Sequence, residues 1–148
     1  MGGGGSVIKS VFVQKCQRTR LEDEFQELVV GLARVCGWTV YHIPDSRKGT
    51  ARGFPDLVIA KMNPSQVIVA ELKKQKGIAT KEQRNWINVF DDVFAFMDGS
   101  GSYIWKPSDA EEVWEILTSP PPSAHWLTAA FDDPGPFSTL LDEVRSLN

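Results

Sequence analysis

Two short apolar runs on either side of a proline turn constrain this chain most. Leu57-Val58-Ile59-Ala60 and Val67-Ile68-Val69-Ala70 flank Asn63-Pro64-Ser65. Runs of this length, rich in β-branched residues and bounded by turn formers, read as buried strands. The connection is too short for a crossover, so the pair is an antiparallel hairpin.

Helical patterns lie on both sides. Leu21, Phe25, Leu28, Val29, Leu32 and Val35 recur along one helical face, Thr19-x-x-Glu22 has the form of a capping box, and Gly37 stands where a C-terminal cap belongs. Residues 38–43 are aromatic and β-branched and read as a strand ended by Pro44. Thr80-x-x-Gln83 is a second capping box, followed by Trp86, Ile87 and Phe90. Val93-Phe94-Ala95-Phe96 either continues that helix or forms a strand. Tyr103-Ile104-Trp105 reads as a short strand, and Ser108-x-x-Glu111 opens a last helix ended by Pro120-Pro121-Pro122. The order is helix, three strands, helix, strand, helix, which predicts an α/β domain with a mixed sheet flanked by helices.

With 148 residues, one domain with appendages is expected. Residues 1–18 read as a flexible or partly ordered leader with a Gly/Ser linker at 2–6, residues 19–118 as the domain, and 119–148 as a Pro-rich linker and acidic tail with a possible short helix at 139–147. Cys16 and Cys36 form no CxxC pair, so neither a disulfide scaffold nor a structural zinc site is expected, and a reduced cytoplasmic setting is the simplest reading. No apolar run approaches the ~18–20 residues of a membrane span.

The net charge of −3 argues against a polybasic binder, but it is unevenly spread. Residues 1–46 are neutral, 47–84 carry nine basic and three acidic residues, and 85–148 carry two basic and eleven acidic ones. The central island is either a solvated Lys/Arg face or an anion-binding surface suited to phosphates.

Asp56 and Glu71 are carboxylates at strands that otherwise read as buried. Side chains alternate along a strand, so Glu71 and Lys73 share a face, and a hairpin turning near residue 64 brings Asp56 beside Glu71. Two close carboxylates repel unless a proton or a cation neutralises them, and Mg²⁺ is a natural occupant. Lys73 on the same face is placed to orient or deprotonate water, or to stabilise charge on a phosphate. Glu24, off the apolar stripe of the first helix, is a candidate third carboxylate. The alternative is an ion pair of Glu71 with Lys73 at a strand end, with Asp56 capping the loop after Pro55. His42 reads as packed or at a strand edge, and the tryptophans as core and interface.

Gly53-Phe54-Pro55-Asp56-Leu57-Val58, Ala70-Glu71-Leu72-Lys73 and Gly77 with Thr80-x-x-Gln83 resemble the VRR-NUC nucleases of the PD-(D/E)XK superfamily. Glu24-Phe25-Gln26, Gly37-Trp38, Asp45-Ser46-Arg47 and Trp105-x-Pro107-Ser108-Asp109 agree with that pattern, whereas Asp91 to Ser102 is longer than the compact turn expected. The resemblance implies an αβββαβ core that hydrolyses phosphodiesters with Mg²⁺ or Mn²⁺. It implies Asp56, Glu71 and the Leu72 carbonyl as metal ligands, Lys73 as the catalytic lysine, and Glu24 as a metal support, directly or through water. Gln83 is implied near the site, a role compatible with its place in the capping box. Ser46, Arg47 and Lys48 are implied on the DNA backbone, with Arg52, Lys74 and Lys76 of the basic island as further contacts.

The expected activity is that of a DNA endonuclease acting on branched DNA such as Holliday junctions, as a homodimer, in the cytoplasm of a bacterium or a phage-infected cell. A non-catalytic nucleic-acid-binding module and an accessory nuclease needing a partner protein are the alternatives.

Overall fold

The expected hairpin forms the centre of a four-stranded sheet. In the computed structural model β2 (Leu57–Lys61) pairs antiparallel with β3 (Gln66–Leu72), with Leu57 opposite Ala70 and Lys61 opposite Gln66. The structure describes residues 3–42 and 51–119, with side chains from Val7 onward. β1 (Thr39–His42) lies antiparallel to β2, and β4 (Gly101–Trp105) runs parallel to β3, which gives the mixed order β1-β2-β3-β4. A parallel neighbour requires a crossover, and α3 (Lys81–Phe94) provides it. The other helices are α1 (Gly3–Arg18), α2 (Glu22–Val35) and α4 (Ala110–Leu117), the last preceded by a 3₁₀ turn at Pro107–Asp109.

The alternation of β3 decides what each face of the sheet carries. Ile68, Ala70 and Leu72 join Leu57, Ile59 and Trp105 in the main core, packed with α1, α2 and α4. Val69 and Glu71 point the other way, toward α3. There Ile87 and Phe94 are buried, and the Ser102 hydroxyl donates to the Ile87 carbonyl at 2.7 Å. The α/β class and mixed sheet read from the sequence are therefore present. The element that carries Glu71 is buried on both faces.

The largest departure from expectation is at the N-terminus. The segment read as a leader is helical, and its Ile8, Phe12 and Cys16 are buried in the main core. Ile8, Phe12 and Cys16 follow an i, i+4 stripe, so burial of that face fixes the helix despite its glycine-rich start. The packed core thus includes residues of the segment read as a flexible or partly ordered leader, so packing extends N-terminal of residue 19. Thr19 also has a different role. Its hydroxyl donates to the Cys16 carbonyl at 2.7 Å and so closes α1, while α2 starts after Leu21 with no side-chain cap.

Smaller differences have local causes. Ser108 does not cap α4. Its amide donates to Gln75 Oε1 at 2.9 Å, and Asp109 accepts the Lys106 amide at 2.9 Å. Residues 91–94 continue α3, resolving the helix-or-strand alternative in favour of helix. The longer link to β4 is tied to the start of β3. Gln66 Nε2 donates to the Gly99 carbonyl at 3.0 Å, and the Val67 amide to Ser100 Oγ at 3.0 Å. Gly37 ends α2 with φ +89°, as the C-cap reading requires. The expected tail helix, and the tail itself beyond residue 119, lie outside the described residues.

Candidate active site

Extending the β2–β3 register by one step sets Asp56 opposite Glu71. Three neighbours then fix the two acids. Asp56 Oδ2 accepts the Leu72 amide at 2.9 Å. Lys73 Nζ lies 3.3 Å from Glu71 Oε2, and Gln83 Nε2 donates to the same oxygen at 3.0 Å. Glu71 is 1% exposed, and its Oε1 is a buried oxygen without a hydrogen-bond partner among the described residues.

A buried carboxylate with one bare oxygen is costly, by ~1–3 kcal/mol or more for a charged group. Burial, followed by the charge of Asp56, pushes Glu71 up to about 8, while Lys73 pulls in the opposite direction. A hydrogen bond to Asp56 is open only to the protonated form of Glu71. The charge of the pair is therefore best balanced by one more positive species, either a proton or a cation.

Gln83 reaches Glu71 because the start of α3 is held in place. Thr80 Oγ1 accepts the Gln83 amide at 3.1 Å, and Gln83 Oε1 accepts the Thr80 amide at 2.8 Å. The two roles read for Gln83 thus coexist: one end of its amide closes the capping box and the other meets Glu71. The loop before Asp56 is pressed against the same helix end. A Cβ on Gly53 would stand 2.7 Å from the Gln83 nitrogen and from Glu82, and Gly53 has φ +77°. Phe54 packs edge-on against Trp86, whose indole N–H donates to the Arg52 carbonyl at 3.1 Å.

The half-buried carboxylate whose charge interacts with Asp56 is Glu22, while Glu24, the residue expected to support a metal, is exposed. No contact brings Glu24 to the acid pair. The Glu22 carboxyl is raised by burial and then by the charge of Asp56, against the pull of Lys73 and Lys74. The signal was present in the sequence. Glu22 lies on the same helical face as Phe25, Val29 and Leu32, one turn before the apolar residues begin, whereas Glu24 faces away. Counting Leu21 as core hid this, because Leu21 is 61% exposed.

Lys74, Lys76 and Arg52 are exposed, with no side-chain hydrogen bond or ion pair among the described residues. Ser46, Arg47 and Lys48 lie outside the described residues. His42 sits half-buried on the edge strand β1, in keeping with its reading as a packed or strand-edge residue. Trp38, Trp105 and Trp114 are buried in the core, as expected for most of the tryptophans.

The residues suit a small hard cation. Asp56 and Glu71 could supply oxygen ligands, and Glu71 Oε1 has no hydrogen-bond partner among the described residues that would compete for it. Among the described residues no group of three or more His, Cys, Asp or Glu side chains is placed to hold a metal ion, so a cation here would rest on the two acids. Mg²⁺ is commonly held by one or two carboxylates, with water and substrate phosphate completing the shell, so an open two-acid site fits it. Comparisons of the chain with family models, curated proteins and solved structures return no match. Among the described residues no helix is long and apolar enough to cross a membrane.

Proposed function

We propose that the protein is a Mg²⁺- or Mn²⁺-dependent nuclease that hydrolyses DNA phosphodiesters. The observation that carries this reading is the bare, buried Oε1 of Glu71, opposite Asp56 and beside Lys73. Asp56, Glu71 and the Leu72 carbonyl would hold the cation, and Glu22, whose charge interacts with Asp56, would be the acid to meet one of its waters. Bound there, a divalent cation polarises the phosphate and lowers the pKa of its water. Lys73 would hold that water or offset charge on the phosphate, and Gln83 keeps the Glu71 carboxylate turned toward the site. The basic island would bind the strand. The motifs that resemble VRR-NUC nucleases of the PD-(D/E)XK superfamily support the same reading. A branched DNA substrate, such as a four-way junction cut by a two-fold dimer with two sites, follows from that resemblance.

The 3.3 Å contact between Lys73 and Glu71 favours a second reading, in which the acid is neutralised within the fold and the domain only binds nucleic acid. In that reading a proton shared with Asp56 accounts for Oε1, and the resemblance of the motifs to metal-dependent nucleases is what favours a cation. Incubation of linear, forked and four-way DNA with Mg²⁺ or Mn²⁺ decides between them. Cleavage that Glu71→Ala and Lys73→Ala each abolish supports the nuclease. Salt-dependent binding without cleavage in either metal supports the binding module. Cleavage that appears only with a partner protein supports the accessory nuclease.

A further inference from the structure

A cleft of about 390 Å³ is lined by Thr19, Arg20 and the three residues that directly follow Lys73, namely Lys74, Gln75 and Lys76. Three of these five residues are cations and none is an acid. None of the three cations makes an ion pair among the described residues, and all three are exposed. The cleft adjoins the site, since Lys74 follows Lys73 and its charge reaches Glu22.

The cleft walls are braced, and the bracing uses the residues that carry no charge. Thr19 gives both its amide, at 3.1 Å, and its hydroxyl, at 2.7 Å, to the Cys16 carbonyl. Gln75 is clamped to Ser108 through both ends of its side-chain amide, at 3.1 and 2.9 Å. The Gly77 amide closes the turn onto the Lys74 carbonyl at 2.8 Å. Arg20, Lys74 and Lys76 therefore project from fixed backbone. Their guanidinium and ammonium groups are the donors left over for a ligand, and donors of this kind suit a phosphate. The volume lies near the low end of small-ligand sites, ~300–1,000 Å³, which suits a nucleotide unit better than a duplex face.

The geometry points to a phosphate-binding subsite formed by Arg20, Lys74 and Lys76, which holds a phosphate of the nucleic-acid strand next to the one at the acid pair. This rests on the reading that the substrate is nucleic acid, and it adds Arg20 and a defined second contact. The phosphate is either an internal phosphodiester or a terminal monoester, since both present the same oxygens.

The test is fluorescence anisotropy of the full chain with single-stranded oligonucleotides in EDTA, with and without a 5′ phosphate, at several salt concentrations. Arg20→Ala and Lys76→Ala are each expected to weaken binding about tenfold, and each to reduce the slope of log K against log salt by roughly 0.7. Arg20→Lys should recover most of the slope. Loss with both oligonucleotides assigns an internal phosphodiester, and loss confined to the phosphorylated one assigns a terminal phosphate. Arg34→Ala, an exposed cation at the far end of α2, is the control for net charge. Three outcomes overturn the subsite: unchanged affinity and slope in both cleft variants, an equal loss in Arg34→Ala, or no binding by the wild type. A parallel Mg²⁺ cleavage assay separates this inference from the nuclease reading. Cleavage with unchanged cleft variants defeats the subsite alone, and cleft-dependent binding without cleavage defeats the nuclease alone. Thermal melting checks the fold of each variant, which should match wild type because both side chains are exposed.

Discussion

Gln83 Nε2 donates to Glu71 Oε2 at 3.0 Å while the same side chain closes the capping box of α3 at its other end. Stability and site geometry thus share one residue, and two substitutions separate them. Thr80→Ala removes the acceptor for the Gln83 amide and should cost ~0.5–2 kcal/mol in urea unfolding with a modest effect on cleavage. Gln83→Ala should cost a similar amount of stability and also lower cleavage by roughly 10–100-fold, as loss of a group orienting a metal ligand does. Equal cleavage by the two variants would show that the contact with Glu71 does not position it.

Glu71 gives the metal-free protein an unusual pH dependence. Its folded value of about 8 stands above the ordinary carboxylate value of 4.5, so the folded state holds a proton that the unfolded state has released. Stability must then fall as pH rises from about 4.5 to about 8, with a slope of at most ~1.4 kcal/mol per pH unit from this group. Urea midpoints measured in EDTA across that range should show the fall, and Glu71→Gln should flatten it. Mg²⁺ or Mn²⁺ should raise the midpoint more at pH 8 than at pH 5, because the ligand must lose its proton to bind.

The sheet and its acids were legible because each rests on local signals. Short β-branched runs, a proline turn and the two-residue alternation of strands place Asp56 and Glu71 together without reference to the rest of the chain. What failed depended on tertiary context. Thr19 has the form of an N-cap in sequence, but α1 ends beside it and takes its hydroxyl. Glycines at the start of α1 suggest a linker, yet the Ile8, Phe12 and Cys16 stripe that follows is covered by the core. Ser108 is drawn away by Gln75, a residue 33 positions earlier. Such competition for a side chain across the fold leaves no periodic trace.

Gly53 joins the Asp56 loop to the end of α3 at a distance that excludes any side chain. Gly53→Ala places a Cβ 2.7 Å from backbone atoms of Glu82 and Gln83, in a backbone with φ +77°. Gly37→Ala meets a similar φ of +89° with nothing within 4 Å. The second change should therefore cost only the conformational term, ~1–2 kcal/mol. The first should cost clearly more and should also reduce cleavage, because the backbone that must yield carries Gln83. Melting temperatures of the two variants check the order.

The burial of Ile8, Val11, Phe12 and Cys16 makes α1 part of the packed domain. Phe12 is fully buried, and Phe12→Ala should cost ~3–5 kcal/mol in chemical unfolding. Removal of residues 1–18 should expose the faces of α2 and α4 that α1 covers and yield a protein without a cooperative transition. A truncated chain that melts cooperatively at the wild-type temperature would contradict the packing described.

Glu22 and Glu24 lie two positions apart and point to different surroundings, which allows a paired test of the third carboxylate. Glu22 faces the site, where Asp56, Lys73 and Lys74 all act on its charge. Glu24 is exposed on the other side of the helix. Both stand in the first turn of α2, where a negative charge favours the helix, but burial and Asp56 oppose the charge of Glu22, so Glu22→Gln should be the less destabilising of the two. Their effects on metal binding should differ. Glu22→Gln should weaken Mn²⁺ binding, measured by calorimetry, by roughly 10-fold or more and lower cleavage in proportion. Glu24→Gln should leave both unchanged. The reverse result would restore Glu24 as the supporting acid and would require α2 to be rotated from the position found here.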